Sequence, residues 1–360
     1  MLVCGLLGCA PRPTARETVE LSLDARGCAS PVARLPQREV GFCFAHDYHH
    51  GGARGYGSRE GEASLEAMAD VGATAISVTP FGFTAGVHDP DVRLVTNHGP
   101  GETDARVRAT IRAAHARGLR VLLKPHLWLG DGRWVGELAL DDPNARARFM
   151  RAYGAFIAHY ARMAEEEHVA SFAIGVELKS ATRVSPDLLT HLAAIVRPLY
   201  HGELVYAANW DEVAQIRSWD AVDVIGVQLY APLAARRDAD DATMRAALVR
   251  VLDALGRFAR TRRMPLVLTE VGYRADPDAL VRPHLWPEGH QAEPDEHTQA
   301  RGFRLLADVL ASRRDVRGVY VWKWFTDPAS RDEGPTGFSP RGRRAEAVLR
   351  TAFGSRRCRE

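Results

Sequence analysis

Eight short apolar runs recur along the chain, each followed by a stretch with helical spacing of its apolar residues, and this alternation leaves little choice of fold. The runs occupy 40–45, 73–79, 119–124, 170–177, 204–208, 222–230, 266–271 and 318–325. They are continuously apolar, as strands buried on both faces must be. Between them the period changes to 3.6. In 144–167, for example, Phe149, Tyr153, Phe156, Ile157 and Tyr160 share one helix face. Strands that alternate with helices build a parallel sheet, and eight of them close it, so the expected fold is α/β, a single-domain (β/α)8 TIM barrel. With 360 residues, 46% of them apolar, the chain is long enough to bury such a core. The barrel is expected over 39–354, after a Pro- and Arg-containing linker at 10–38 and before a short tail at 355–360.

Barrel enzymes carry their chemistry at the C-terminal ends of the strands. Glu177 closes the fourth run, in Phe172-Ala-Ile-Gly-Val-Glu-Leu178, and Glu270 lies at the end of the seventh, one residue before its last, in Leu266-Val-Leu-Thr-Glu-Val-Gly-Tyr273. A carboxylate at the mouth of a buried strand loses hydration and gains no packing, so it belongs where chemistry or a specific ion pair needs it. Two of them at equivalent strand ends point to a catalytic pair.

Only three of the 47 basic residues are Lys, and Lys124, Lys179 and Lys323 all lie at strand ends. A compact ammonium differs from a planar guanidinium in reach and hydration, which marks these as site positions where Arg would not fit. Aromatic residues cluster at the same level. Trp128, Trp210, Trp322 and Trp324 occupy or follow the ends of the third, fifth and eighth runs, and Tyr230 ends the sixth. A flat ring offers a pyranose an apolar face while its N–H or O–H can meet a hydroxyl. In Tyr320-Val-Trp-Lys-Trp324 the two-residue period sets Trp322 and Trp324 inward and Lys323 outward. Trp134 and Trp219 are read as core.

A formal charge of +2, from 47 basic and 45 acidic residues, gives no reason to expect nucleic acid as a partner. The opening Met1-Leu-Val-Cys-Gly-Leu-Leu-Gly-Cys-Ala10 is too short to span a membrane and resembles the end of a signal peptide, and its Leu6-Leu-Gly-Cys9 resembles a bacterial lipobox. That resemblance implies that residues 1–9 are a signal segment, that Cys9 is lipidated, and that the protein is exported, anchored to the outer membrane through lipid alone. Cys43 falls inside the first run, where a thiol packs as a small hydrophobe. Cys28 and Cys358 remain, and because a closed barrel brings its termini to one side, an exported chain can join them as a disulfide. A monomer is expected.

Taken in order, Lys124-Pro-His126 with Asp131-Gly-Arg-Trp134, Ile174-Gly-Val-Glu-Leu178, Tyr206-Ala-Ala-Asn-Trp210, Trp219-Asp-Ala-Val-Asp-Val-Ile-Gly-Val227 with Tyr230, Thr269-Glu-Val-Gly-Tyr273 and Gly337-Phe-Ser-Pro-Arg341 resemble glycoside hydrolase family 113. The resemblance implies a retaining clan A (β/α)8 glycosidase, mannanase-like, acting on β-1,4-mannan or manno-oligosaccharides without a cofactor or metal. It implies Glu177 as acid/base and Glu270 as nucleophile, and retention calls for carboxyls about 5–5.5 Å apart. Tyr230 is expected to donate a hydrogen bond to Glu270. Lys124, His126, Asn209, Trp210, Trp322, Trp324, His46 and Asp47 are the expected substrate-binding residues. The wider clan usually has Asn before the acid/base, where this chain has Val176, so the sugar 2-hydroxyl contact passes to Asn209 or is absent. An amino-sugar glycan of the cell envelope, peptidoglycan or chitosan, is the alternative substrate. A metal-dependent hydrolase built on His46, Asp47, His49 and His50 is a third reading.

Overall fold

The computed structural model describes residues 19–35, 38–48, 52–94, 101–286, 292–330 and 333–358. Eight parallel strands form the closed barrel: β1 (Glu39–Ala45), β2 (Ala75–Val78), β3 (Arg120–Leu123), β4 (Ser171–Val176), β5 (Glu203–Asn209), β6 (Val224–Leu229), β7 (Leu266–Val271) and β8 (Val316–Phe325). Each pairs with its sequence neighbours, and β8 closes on β1 with Val319 opposite Val40. The apolar runs became these strands because both faces are buried. One set of alternate residues, including Cys43, Ala75, Leu122, Ala173, Val205, Val224, Val267 and Tyr320, fills the barrel interior. The other set, including Phe42, Ile76, Val121, Phe172, Ile225 and Leu268, packs against the helices.

The helical layer comprises α1 (Arg59–Val71), α2 (Asp104–His115), α3 (Pro143–Glu166), α4 (Leu188–Val196), α5 (Asp241–Arg262), α6 (Glu296–Ala311) and α7 (Arg344–Ala352). Side-chain caps start several of them. The Asp142 carboxylate accepts from the Ala145 N–H ahead of α3, with Pro143 at its first turn, and Asp240 accepts from Thr243 N–H ahead of α5. The expected helix between β5 and β6 is absent, and a 3-10 turn at Trp219–Ala221 fills that connection. Trp219, fully buried, there packs on Tyr206 and Phe258 in the place a helix would take, as its core reading required.

The region expected as linker is part of the folded unit where it is described. Ser22–Leu23 and Ala29–Ser30 pair as a hairpin. Ala29 N–H donates to Thr351 Oγ and Leu35 N–H to Ala352 O, so the segment docks on α7. The tail is folded as well where it is described: Arg356–Cys358 forms a 3-10 turn and Cys358 is buried. Cys28 and Cys358 are joined as a disulfide with Cα atoms 5.9 Å apart, across a sequence separation of 330. Cys4, Cys9 and the rest of the opening segment lie outside the described residues.

Because this bridge closes almost the whole chain into a loop, its loss should cost about 2–5 kcal/mol through the freer unfolded state. Reductant should therefore lower the melting temperature by several degrees, and a Cys28→Ser variant should start from the lower value and ignore reductant. Identical melts of the native protein with and without reductant would contradict this.

Candidate active site

The two carboxylates stand at the C-terminal mouth of the barrel in different surroundings. Glu270, the penultimate residue of β7, is 4% exposed. The Lys124 ammonium reaches it across the barrel from the end of β3 and donates to Oε1. Tyr230, just beyond β6, donates its hydroxyl to Oε2 at 2.8 Å. The Tyr230 phenol is pushed well above its usual range, by burial first and by the Glu270 charge second, so it keeps the proton it donates. His126 Nε2 lies 3.5 Å from Glu270 Oε1 and has no hydrogen-bond partner among the described residues. Burial, then the charges of Lys124 and Lys323, holds its imidazole well below the usual range, so the ring is neutral.

Glu177 follows β4 directly and takes a left-handed backbone conformation, φ 51°. A non-glycine residue there is strained by roughly 1–3 kcal/mol, the kind of local cost that persists where the surroundings fix a functional geometry. Its N–H donates to Ala207 O, its carbonyl accepts from Lys179 N–H, and Leu178 N–H donates to the buried Tyr206 hydroxyl, which together hold the turn. Trp134 Nε1 donates to Glu177 Oε2 at 2.8 Å. The Glu177 carboxyl is pushed up to about 8, by burial first and then by the negative charge of Glu270, against the opposing pull of the Trp134 hydrogen bond. One carboxylate therefore faces an ammonium and a phenol, while the other holds its proton at neutral pH.

Several expected binding residues have other roles. Lys124 is fully buried, and its ammonium points at Glu270, at Thr269 O (3.3 Å) and at Cys43 Sγ (3.8 Å), which leaves no donor for a sugar hydroxyl. Trp322 faces the interior, with His126 stacked on it at 5.9 Å and Lys124 Nζ 5.7 Å from its ring centre. Trp324 points outward onto Phe42 at 4.8 Å, beneath Arg341. Strict alternation failed there because the pairing of β8 with β1 shifts register between Val321 and Trp324, where the Trp322–Lys323 peptide is cis. Trp210 is half-buried against the outer apolar layer. Asn209 ends β5 on the inward phase shared with Val205 and Ala207; Glu212 Oε1 accepts from its N–H at 2.8 Å, and the Asn209 Oδ1 is buried without a partner among the described residues.

His46 and Asp47 are buried in the loop after β1. The His46 ring packs against Gly55, where an added Cβ would lie 2.0 Å away, and its Nδ1 accepts from Tyr56 N–H. Asp47 N–H donates to Thr326 Oγ. His49 and His50 lie outside the described residues, and no group of three or more His, Cys, Asp or Glu among the described residues is placed to hold a metal ion.

Trp134, read as core, is the site residue the sequence concealed. An isolated Trp in a loop carries no periodicity that says where its N–H points. Lys179 Nζ sits 5.9 Å from its ring and pairs with Asp211 at 2.6 Å, and a cavity of about 450 Å³, lined by Trp134, Lys179, Arg183 and Phe149, opens beside it.

The model of glycoside hydrolase family 113 matches residues 45–338 of this chain. None of the curated proteins matches it in sequence. Among solved structures, it is similar to a family 113 β-1,4-mannanase at 22% identity and TM-score 0.77, over 89% of this chain and 100% of the other. It is also similar to a family 113 β-mannanase from Alicyclobacillus acidocaldarius at 24% identity and TM-score 0.73, over 90% and 98%. A β-glucuronidase of an uncultured Clostridium species shares the barrel at 15% identity and TM-score 0.57, over 89% of this chain and 50% of the other.

Proposed function

Because the chain belongs to glycoside hydrolase family 113, we propose that it hydrolyses β-1,4-mannan or manno-oligosaccharides with retention of configuration, using Glu270 as nucleophile and Glu177 as acid/base. The observation that carries this reading is the unequal pair of carboxylates. The Glu177 carboxyl, pushed up to about 8, holds a proton for the departing glycosidic oxygen. Glu270, oriented by Lys124 and Tyr230, attacks the anomeric carbon and forms a covalent glycosyl-enzyme. Once the leaving group has gone, Glu177 is a carboxylate and takes a proton from water, which attacks the same carbon and releases the sugar. Trp322 supplies the floor of the reacting ring, and the unpartnered Asn209 Oδ1 accepts from a sugar hydroxyl, in the role that Val176 cannot fill. The family 113 mannanases of the same fold support mannan as the substrate. Mannan, chitosan and peptidoglycan offered to the purified enzyme test the choice: reducing ends should appear from mannan, and release from chitosan or peptidoglycan alone would overturn it.

The pH profile follows from the acid. Activity requires protonated Glu177, so kcat/KM should fall as pH rises through about 8. The Trp134 N–H stabilises the charged carboxylate, so its removal raises the pKa of Glu177 further. Trp134→Phe should therefore move the alkaline limb upward by about one unit. A limb that stays in place or moves to lower pH would detach it from Glu177.

A further inference from the structure

β5 continues past its last pairing with β4, at Ala207, and a buried carboxylate completes the edge that β4 leaves open. Glu177 N–H donates to Ala207 O at 2.8 Å, as parallel pairing requires, and the same pattern would have the Glu177 carbonyl accept from Asn209 N–H. The left-handed turn at Glu177 instead directs that carbonyl to Lys179 N–H at 2.7 Å. Asn209 N–H therefore donates to Glu212 Oε1 at 2.8 Å, and Glu212 N–H returns a bond to Asn209 O at 3.0 Å, which closes the turn 209–212 from both ends. The other Glu212 oxygen accepts from Thr182 Oγ at 3.4 Å, in the short helix Lys179–Val184 that follows Glu177. Glu212, 1% exposed, thus joins the chain that carries the acid/base to the strand end that carries Asn209.

We propose that Glu212 is a positioning residue of the reaction, which ties the Asn209 carboxamide to the turn that carries Glu177 so that both meet the same sugar ring. This inference rests on the mannoside reading above, in which Asn209 Oδ1 accepts from a sugar hydroxyl while Glu177 protonates the leaving oxygen. The two groups stand on neighbouring strands, so no covalent geometry sets their spacing, and an error of about 1 Å can cost about 10²-fold in rate. A neutral acceptor would satisfy one N–H as well. A carboxylate also brings a charge. Burial above all pushes Glu212 up to about 7, against the pull of the Asn209 N–H and the Lys179 ammonium, with Asp211 adding to the rise. Arg183 from the same helix and Arg217 from the loop after β5 line a cavity with it, and the Tyr206 phenol of β5 feels its charge. The Glu177 carboxyl, raised by burial and then by Glu270, is raised further by Glu212. Ionisation of Glu212 near pH 7 therefore works against ionisation of Glu177.

The test is a double-mutant cycle on mannotetraose at about pH 6, where both carboxyls are protonated and the charge is silent. Glu212→Ala should lower kcat/KM about tenfold or more when Asn209 is present, and less than about twofold in the Asn209→Ala background, where the tie no longer places a side chain. Glu212→Gln keeps a carbonyl for the Asn209 N–H, so at this pH it should stay within about twofold of the native enzyme. Its alkaline limb should nevertheless move to lower pH by about half a unit, opposite in direction to Trp134→Phe, because the charge that held the proton on Glu177 is gone. If Glu212→Ala melts too low to assay, that limb decides alone, and a limb that stays or moves up overturns the proposal. With an active native enzyme, additive losses in the cycle, or a Gln variant as impaired as the Ala variant, overturn the positioning role alone. A native enzyme that leaves mannotetraose intact overturns the mannoside reading, and this role with it.

Discussion

Glu270→Ala is expected to abolish turnover of every β-mannoside, however good its leaving group, with a loss on the order of 10⁵-fold or more, the scale that follows removal of a covalent nucleophile. The loss should not depend on the leaving group, because no intermediate forms without the carboxylate. The variant should still fold, since the removed side chain faces the open mouth of the barrel. It does, however, strand the buried ammonium of Lys124, which loses its carboxylate partner among the described residues. The melting temperature is therefore expected to fall by several degrees, consistent with an uncompensated buried charge worth a few kcal/mol. Full or nearly full activity in this variant on an aryl mannoside would remove Glu270 from the chemistry.

Glu177→Ala should behave differently on different substrates. It removes the proton donor, so oligosaccharides, whose departing oxygen needs protonation, should lose about 10²–10⁴-fold. An aryl mannoside whose phenolate leaves without a proton should still load Glu270, and the glycosyl-enzyme should then accumulate because no base activates water. Azide needs no base and fits the space the alanine leaves, so it should restore turnover and give the β-mannosyl azide. The α-azide from this variant would mean direct displacement on the substrate in place of a missing nucleophile, and would reverse the two roles.

The barrel was legible because strands buried on both faces must be continuously apolar, a pattern that survives without knowledge of tertiary contacts. The carboxylate pair was legible for a related reason: Glu177 and Glu270 interrupt apolar runs at the same end. What escaped was direction. Trp324 was placed inward by a two-residue period that the shifted register of β8 breaks. Lys124 was recognised as a site residue, but nothing in the sequence says that its ammonium crosses the barrel to Glu270 rather than meeting a hydroxyl. Trp134 lies in a loop, where no periodicity fixes where a ring points, and its hydrogen bond to Glu177 is made far away in sequence. The segment before β1 looked like a linker because its pairing partners, Thr351, Ala352 and Cys358, lie more than 300 residues on.

The most direct measurement is capture of the covalent intermediate. A 2-deoxy-2-fluoro-β-mannosyl fluoride slows both steps by withdrawing electrons from the anomeric centre, while its good leaving group keeps the first step faster than the second, so the enzyme should stop as the glycosyl-enzyme. Digestion and mass spectrometry should then find one added fluoromannosyl unit on the peptide containing Glu270. A label on the peptide containing Glu177, or an enzyme that turns the compound over with inversion and no label, would contradict the assignment.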